Sequence, residues 1–238
     1  MMISPITGRP ELANIPDARL AGCRDFFFDL DGTLVDSRAA ILGAYQHVFR
    51  SVAHAPFPFD GDSDLGQLLA MRPVEVFAQA LGSREDECVA AYHEHYRDCS
   101  GYAVKAYEGA KALLEALVDK GHRIGIVTNK ASDRAILDLA RTGVVDVAIL
   151  CTLVGSEHTV KRKPHPAPLL LALERCGAIA ARSVYVGDGP HDMSAARAAG
   201  MAGVGASYGY YGADALREAG AQALIGSPME LVTLTARD

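Results

Sequence analysis

The chain has 238 residues, of which 50% are hydrophobic and 22% are charged, so it can bury a sizeable core in one large domain or in a domain with an insertion. Its formal net charge is −6 and its pI is about 5.7, which argues against nucleic acid as a partner. No apolar run has the length of a membrane span, and we expect neither a signal peptide nor a membrane partner.

The first predicted strand ends in two acids. After residues 1–22, which we expect to form a loosely ordered N-terminal arm, the apolar run Phe26–Phe28 leads into Asp29, Asp31 and Gly32. A continuous apolar run bounded by turn residues indicates a strand buried on both faces. Residues two apart share a face, so both acids should project from the same side at the strand's carboxyl end. This arrangement suits a Mg²⁺ site beside a carboxylate nucleophile, although a polar turn is the alternative.

Residues 38–103 predict helices and carry no strand signal, so we interpret them as a small helical insertion directly after strand one. Apolar residues recur with helical spacing over residues 40–49. Asp62-Ser63 can cap a helix that runs through Leu69. Pro73 suits the first turn of a helix that stops at Gly82, and a further helix runs from residue 83 or 84 through Tyr96.

From residue 104 onward helices and strands alternate, which predicts parallel strands with crossover helices. We therefore predict an α/β fold, a doubly wound (Rossmann-like) parallel sheet formed by residues 23–37 and 104–238. The predicted helices are 110–120, 132–141, 166–176 and 192–199, and the predicted strands are 123–127, 147–151, 183–186 and 202–206.

Three further strand ends carry groups suited to binding phosphate or metal. Thr128 ends the strand 123–127, where a hydroxyl and the following backbone N–H groups can hold an anion, although an ordinary strand-to-helix turn is favoured for this residue taken alone. The stretch 161–166 concentrates positive charge and proline around Lys163, and a solvated loop is its alternative. Asp188 ends the strand 183–186, and Asp192 follows four residues later, where it could instead be a helix N-cap. We expect Lys161 and Arg162 to be exposed and His191 not to be a ligand.

Taken in order, these strand ends resemble the four motifs of the haloacid dehalogenase-like hydrolase superfamily, in the capped subclass that includes phosphoglycolate phosphatases. The resemblance spans nearly all of residues 24–230 and implies a Mg²⁺-dependent phosphatase with the insertion 38–103 as a helical cap domain. By this resemblance Asp29 is the nucleophile, and Asp31 is the general acid and base. The implied Mg²⁺ ligands are Asp29, the Asp31 carbonyl and Asp188, with Asp192 behind them ordering water and the lysine; the implied phosphate-binding groups are Thr128, the Asn129 N–H and Lys163.

Other members of the superfamily fit the sequence less well. Dehalogenases lack the second aspartate, and phosphonatases use a cap lysine, whereas residues 38–103 contain no lysine. A phosphoglucomutase-like transferase stays an alternative, but Ile41 occupies the position of its histidine. A non-catalytic phosphate-binding protein is a second alternative, from another functional class, and its usual sign is a missing motif residue.

The substrate is predicted only as a small-molecule phosphate ester: phosphoglycolate, a sugar phosphate, or a nucleoside or biosynthetic-intermediate phosphate. Arg72 is the cap residue that we expect to meet an anionic substrate, and a surface ion pair is its alternative. The segment Tyr208–Tyr210 resembles one common in phosphoglycolate phosphatases, and the loop 56–59 could accommodate a larger, ring-bearing phosphate. His93 and His95 diverge on a helix and predict solvated surface. We expect a monomer or a homodimer.

Cysteine usage completes the prediction. The five cysteines are an odd number, are scattered, and include no Cys-x-x-Cys pair, which predicts reduced thiols in a cytoplasmic protein. They are Cys23, Cys88, Cys99, Cys151 and Cys176.

Overall fold

The protein is described by a computed structural model that covers Leu20, residues 22–59, Leu68, 71–82 and 85–235, with backbone alone for residues 85 and 100–102. The predicted caps at Asp62-Ser63 and at residues 83 and 84 lie outside the described residues, as does nearly all of the predicted N-terminal arm. Along the described part of the chain, no helix combines the length and the apolar character needed to cross a membrane.

Six parallel strands form one sheet in the order β5–β4–β1–β6–β7–β8, so strand β1 lies near the middle with β4 and β6 beside it. Strands β2 and β3 form a separate antiparallel pair. The strands are β1 (Asp25–Phe28), β2 (Val35–Asp36), β3 (Lys105–Ala106), β4 (Arg123–Val127), β5 (Thr152–Val154), β6 (Ser183–Gly187), β7 (Ala202–Ala206) and β8 (Ala223–Ile225).

Helices cover both faces of the sheet. The described helices are α1 (Arg38–Ser51), α2 (Pro73–Leu81), α3 (Glu85–Ala103), α4 (Ala110–Asp119), α5 (Ser132–Thr142), α6 (Ala167–Cys176), α7 (Pro190–Ala199), α8 (Ala213–Glu218) and α9 (Glu230–Leu234). Phe26 and Phe28 join the hydrophobic core on one side of the sheet, whereas Phe27 joins a second core on the other side. Strand β1 is therefore buried on both faces, and the predicted α/β doubly wound fold is confirmed.

The described part of 38–103 is helical outside its loops, as predicted. Helices α1 and α2 pack together through Tyr45 and Phe77, whose ring centroids are 5.6 Å apart, and Tyr92 of α3 packs on Tyr45 at 4.6 Å. The segment leaves the sheet layer after β2 and returns at β3, where Val35 pairs with Ala106. That the segment is a domain of its own stays a prediction.

The predicted strand 147–151 is wrong. Residues Val147–Ile149 form a 3₁₀ turn, because the Asp146 side chain accepts a hydrogen bond from the Ala148 N–H at 2.9 Å and starts a turn there. Ile149 is exposed, and Val147 and Leu150 are only partly buried against the core. The strand is β5, which begins at Thr152.

The prediction that all five cysteines are reduced is also wrong. Cys151 and Cys176 form a disulfide, with Cα atoms 5.6 Å apart, while Cys23, Cys88 and Cys99 are buried and are not disulfide-bonded. Cys151 immediately precedes β5 and Cys176 ends α6, which packs on that strand. A separation of 25 residues in sequence conceals this proximity.

Candidate active site

The predicted motif residues converge at the carboxyl edge of the sheet, because their strands β4, β1 and β6 are adjacent there. Between this edge and helices α1 to α3 lies a cavity of about 230 Å³. The predicted site residues that line it are Asp29, Asp31, Arg72, Thr128, Asn129 and Asp188.

Asp29 follows β1 as a buried carboxylate that lacks a full set of partners. Its backbone N–H donates to the Val186 carbonyl at 2.8 Å, which fixes its position at the strand end. Its Oδ1 lies 2.9 Å from the Lys163 Nζ but without hydrogen-bonding geometry, so among the described residues this atom has no hydrogen-bond partner. Burial raises the pKa of Asp29, against the opposing positive charge of Lys163.

Asp188 lies against the glycine of the first motif. Gly32 has φ = +79°, and a Cβ at this position would overlap the Asp188 carboxylate, so glycine alone allows the two loops to approach so closely. The backbone N–H of Tyr210 donates to Asp188 Oδ2 at 2.7 Å. Burial, together with the negative charges of Asp192 and Asp29, raises the pKa of Asp188 well above its usual range.

Lys163 is fully buried and links the acids. Its Nζ donates to Asp192 Oδ1 at 2.7 Å and to the Tyr185 hydroxyl at 2.7 Å. Burial opposes its charge, but Asp192 and Asp29 outweigh that effect and raise the pKa of Lys163. Asn129 fixes the loop, since its side chain exchanges hydrogen bonds with the Lys163 backbone at 3.1 and 3.2 Å.

Asp192 is also fully buried, and its Oδ2 accepts the Gly189 N–H at 2.9 Å at the start of α7. It therefore orders Lys163, whereas the alternative that Asp192 is the helix N-cap is wrong: Gly189 is the N-cap, and Asp192 is the third residue of the helix. His191 lies beside it: one donor atom each of Asp29, His191 and Asp192 lie within 4.8 Å of one another. That His191 is not a ligand stays a prediction.

Asp31 is held by groups that the sequence did not reveal. Its Oδ1 accepts hydrogen bonds from the Ser37 hydroxyl and from the Lys130 Nζ, the latter at 2.6 Å. Lys130 also donates to Asp138 and to the Tyr96 hydroxyl. One signal for this network was available: Asp138 follows the buried Ala135 by three residues, so it lies on the apolar face of a predicted helix.

The side of the cavity that faces the insertion carries two arginines, which both contact one glutamate. Arg72 lines the cavity and also forms the predicted alternative contact, an ion pair with Glu75 at 2.6 Å. Arg162 lies 3.5 Å from the same carboxylate and lines the cavity too, so the prediction that Arg162 is exposed is wrong, whereas Lys161 is exposed as expected. The proline-rich loop turns Arg162 toward the insertion while it buries Lys163.

His93 and His95 point in different directions, as their spacing predicts, but both are partly buried and not fully solvated. His95 stacks on His47 at 4.1 Å between ring centroids. His93 is half-buried and lines the cavity, so the prediction of a solvated surface is wrong for this residue. Burial, followed by the charge of Arg134, lowers the pKa of His93 to about 4.

The residues present fit a divalent cation. Asp29, Asp188 and Asp192 are three buried acids, and Lys163 is the buried cation that touches two of them. Among the described residues Asp29 Oδ1 accepts no hydrogen bond, and the pKa of Asp188 is raised by burial and by its acidic neighbours, so one lysine does not balance the charge of three buried carboxylates. Carboxylate and carbonyl oxygens are the donors that Mg²⁺ prefers.

A doubly wound sheet with buried acids and a buried lysine at its carboxyl edge is typical of a catalytic α/β protein. Comparison with known proteins identifies its family. Residues 26–206 match the family model described as haloacid dehalogenase-like hydrolase, and the chain belongs to this family. The predicted superfamily is thereby confirmed.

Relatives and solved structures agree with this assignment. The chain is 36% identical over 210 residues to "Phosphoglycolate phosphatase, plasmid" of Cupriavidus necator, which covers 86% of this chain and 90% of that protein. It is 30% identical to the pyrophosphatase PpaX of Bacillus velezensis, over 79% of this chain and 85% of that protein. A haloacid dehalogenase-like family hydrolase from Streptococcus pneumoniae has the same fold, with a TM-score of 0.78, 22% identity, and 90% and 99% of the two chains covered.

Proposed function

We propose that this phosphatase hydrolyses a small-molecule phosphomonoester through an aspartyl-phosphate on Asp29, with Mg²⁺ as cofactor. The chain is a phosphatase because it belongs to the haloacid dehalogenase-like hydrolases and matches relatives named as phosphatases over most of its length. The observation that carries the finer proposal is the buried Asp29 Oδ1, which accepts no hydrogen bond from the described residues and lies 2.9 Å from the Lys163 Nζ. A carboxylate oxygen beside a fixed cation that can also hold the phosphoryl group is suited to act as a nucleophile.

The proposed reaction has two displacements at phosphorus. In the first, an Asp29 oxygen forms a bond to phosphorus, the bond to the ester oxygen breaks, and Asp31 gives its proton to that oxygen. In the second, water attacks the same phosphorus and passes its proton to Asp31, which releases phosphate and regenerates the Asp29 carboxylate. The second step therefore restores both residues to their starting states.

The phosphoryl oxygens need fixed positive charge and hydrogen-bond donors. We assign these roles to Lys163, the Thr128 hydroxyl and the Asn129 backbone N–H. Lys163 is held in place from several sides and the Asn129 side chain fixes its loop, so its charge requires little rearrangement. Mg²⁺, held by Asp29, the Asp31 carbonyl and Asp188, would neutralise charge on the phosphate and on the acids.

The insertion is the part of the chain that we assign to substrate selection. We propose residues 38–103 as a cap domain over a core of 23–37 and 104–238, with residues 1–22 as an arm. Arg72 lines the cavity from the cap side and is a candidate contact for the rest of the substrate. Candidate substrates are phosphoglycolate, sugar phosphates, nucleoside or biosynthetic-intermediate phosphates and, by analogy with the pyrophosphatase relative, pyrophosphate. We propose a cytoplasmic monomer or homodimer that binds no nucleic acid.

One observation weighs against the mutase alternative. Ile41, which occupies the position of the transferase histidine, is buried and lines the cavity as an apolar side chain. It offers no group that could exchange a proton with a second sugar hydroxyl. Hydrolysis by water is therefore favoured over transfer to a second sugar.

The test is phosphate release by the full chain across a panel of the candidate substrates, with Mg²⁺ and with excess chelator. We expect Asp29→Asn to abolish turnover and Asp214→Asn, at an exposed position on α8, to retain it. Intact-mass spectrometry should detect a phosphoryl adduct in the wild type and none in Asp29→Asn. Full turnover by Asp29→Asn, or undiminished hydrolysis in chelator, would refute the proposal.

A further inference from the structure

Lys130 has a buried ammonium group with a complete set of acceptors. Its side chain is 8% exposed, and its Nζ donates to Asp31 Oδ1 at 2.6 Å, to Asp138 Oδ2 at 2.6 Å and to the Tyr96 hydroxyl at 2.8 Å. A lysine ammonium has three N–H donors, and these three acceptors occupy all of them. The geometry is therefore that of a specific junction and not of a mobile surface charge.

The three acceptors lie on different parts of the fold. Asp31 belongs to the turn after β1, Asp138 to α5, and Tyr96 to α3 in the helical insertion. Tyr96 also donates its hydroxyl hydrogen to Asp138 Oδ2 at 2.7 Å, so the ring is fixed to the same junction. Asp138 and Tyr96 are both buried, which makes these contacts insensitive to solvent competition.

Burying an ammonium group beside the buried Asp138 and the partly buried Asp31 is expensive, and hydrophobic residues of similar volume are often at least as stabilising. A role in stability alone is therefore a weak explanation for this junction. The position of Lys130 offers a better explanation, because it contacts Asp31, the acid that would give its proton to the ester oxygen.

We propose that Lys130 is a positioning residue that fixes the orientation of the Asp31 carboxylate and, through Tyr96, couples that orientation to helix α3. This inference rests on the proposed function, in which Asp31 exchanges a proton with the ester oxygen and with water. Ser37, at the start of α1, bonds to the same Asp31 oxygen and contacts the Tyr210 hydroxyl at 3.0 Å. Both contacts are to Oδ1, so they restrain rotation of the carboxylate from two sides.

A consequence is that the insertion influences the chemistry without touching the phosphate. A displacement of α3 that breaks the Tyr96–Lys130 contact would release one of the three restraints on the ammonium, and the Asp31 carboxylate would turn with it. Misplacement of a reacting group by about 1 Å can cost roughly a hundredfold in rate. Asp31 would thus have its working geometry only when α3 is in place.

The test is a double-mutant cycle in the full chain. We expect Lys130→Met to lower kcat about tenfold to a hundredfold with KM changed less than about twofold, because the residue orients a reacting group and does not bind substrate. Tyr96→Phe, which removes one oxygen, should lower kcat in the same direction by a smaller factor. The control Lys111→Met removes a lysine that is 64% exposed on α4 and should leave kcat unchanged.

The diagnostic measurement is Lys130→Met in an Asp31→Asn background. A lysine that acts through Asp31 has no further effect once that carboxylate is gone, whereas a merely structural lysine lowers kcat by the same factor in both backgrounds. The loss in Lys130→Met should also be smaller for an aryl phosphate, whose leaving oxygen needs little protonation, than for an alkyl phosphate. A crystal structure of Tyr96→Phe should show the Asp31 carboxylate rotated.

Multiplicative losses in the two backgrounds, an unchanged kcat in Lys130→Met, or a loss that is equal for aryl and alkyl esters would each overturn the inference. None of these outcomes would refute the proposed function, which is refuted instead by full activity of Asp29→Asn or of Asp31→Asn. Circular dichroism of each variant verifies the fold, and Tyr96→Phe provides the test should Lys130→Met not fold.

Discussion

Replacing Lys163 with methionine tests the electrostatics of the site most directly. The Nζ of this fully buried residue is close to Asp29 (2.9 Å), Asp192 (2.7 Å), the Tyr185 hydroxyl (2.7 Å) and the Val127 carbonyl (3.2 Å). Methionine keeps the approximate volume of the side chain and removes its charge. The substitution therefore leaves two buried carboxylates without their shared cation.

The expected cost can be taken from buried ion pairs in general. Removing one partner of such a pair destabilises a fold by about 3–5 kcal/mol, because the remaining charge is buried and uncompensated. Here one lysine serves two acids, so we expect a loss toward the upper end of that range, about 4–5 kcal/mol, in chelator. Hydrolysis should be lost as well, since the phosphoryl group loses its fixed counter-charge.

The assay is urea-induced unfolding followed by circular dichroism in excess chelator, with phosphate release measured in Mg²⁺. Lys161→Met is the matched control, because it removes a lysine from the same loop at an exposed position and should change the free energy of unfolding by less than about 0.5 kcal/mol. A loss below about 1 kcal/mol for Lys163→Met would refute the reasoning that the acids depend on this lysine.

Three further predictions follow from single features. Gly32→Ala places a Cβ against the Asp188 carboxylate at a positive φ, so it should destabilise the fold by about 2 kcal/mol or more and abolish turnover, whereas Gly212→Ala, where the space is open, should be neutral in the same unfolding and activity assays. Mg²⁺ should raise the melting temperature of the wild type, measured by scanning calorimetry, and should raise it less in Asp188→Asn; equal shifts would contradict the assignment of that ligand. Because the pKa of His93 is lowered to about 4, the unfolded chain takes up its proton first as the pH falls from about 6.5, and stability declines between there and about pH 4. His93→Gln should remove about 1–2 kcal/mol of that decline after allowance for solvent screening of a half-buried ring, and an unchanged slope of unfolding free energy against pH would contradict this.

The fold could be predicted well from the sequence because strands and helices leave local patterns of apolar and turn residues. Strand β4 has the predicted bounds Arg123–Val127, and β7 has the predicted bounds Ala202–Ala206. In both cases a short apolar run lies between turn residues, and burial then fixes the strand. The strand predicted at 147–151 failed because the Asp146 side chain satisfies the backbone there better than a strand partner would.

Only part of the site was predicted, because strand ends can be located from the sequence whereas contacts that depend on helix packing cannot. Asp29, Thr128 and Asp188 each end a strand, so a parallel sheet brings them together automatically. The contact of Lys130 with Tyr96 depends on how α3, which is distant in sequence, packs on the sheet domain, and no local pattern encodes that. Asp138 lies only eight residues from Lys130, and its position on the apolar face of α5 was the one available signal. The disulfide between Cys151 and Cys176 was not predicted, because it depends on how α6 packs against β5.

The pairing of β2 with β3 has a consequence for how this protein can diversify. Val35 pairs with Ala106 and Asp36 with Lys105, so the exit and re-entry points of the insertion lie side by side. The entropic cost of closing a loop grows slowly with its length. A segment whose two ends are held together by the β2–β3 pair can therefore be lengthened, shortened or exchanged at little cost to the stability of the sheet. A different preference for the leaving group could then arise by replacement of the helical insertion between β2 and β3, while the sheet edge that carries Asp29 and Asp188 stays unchanged.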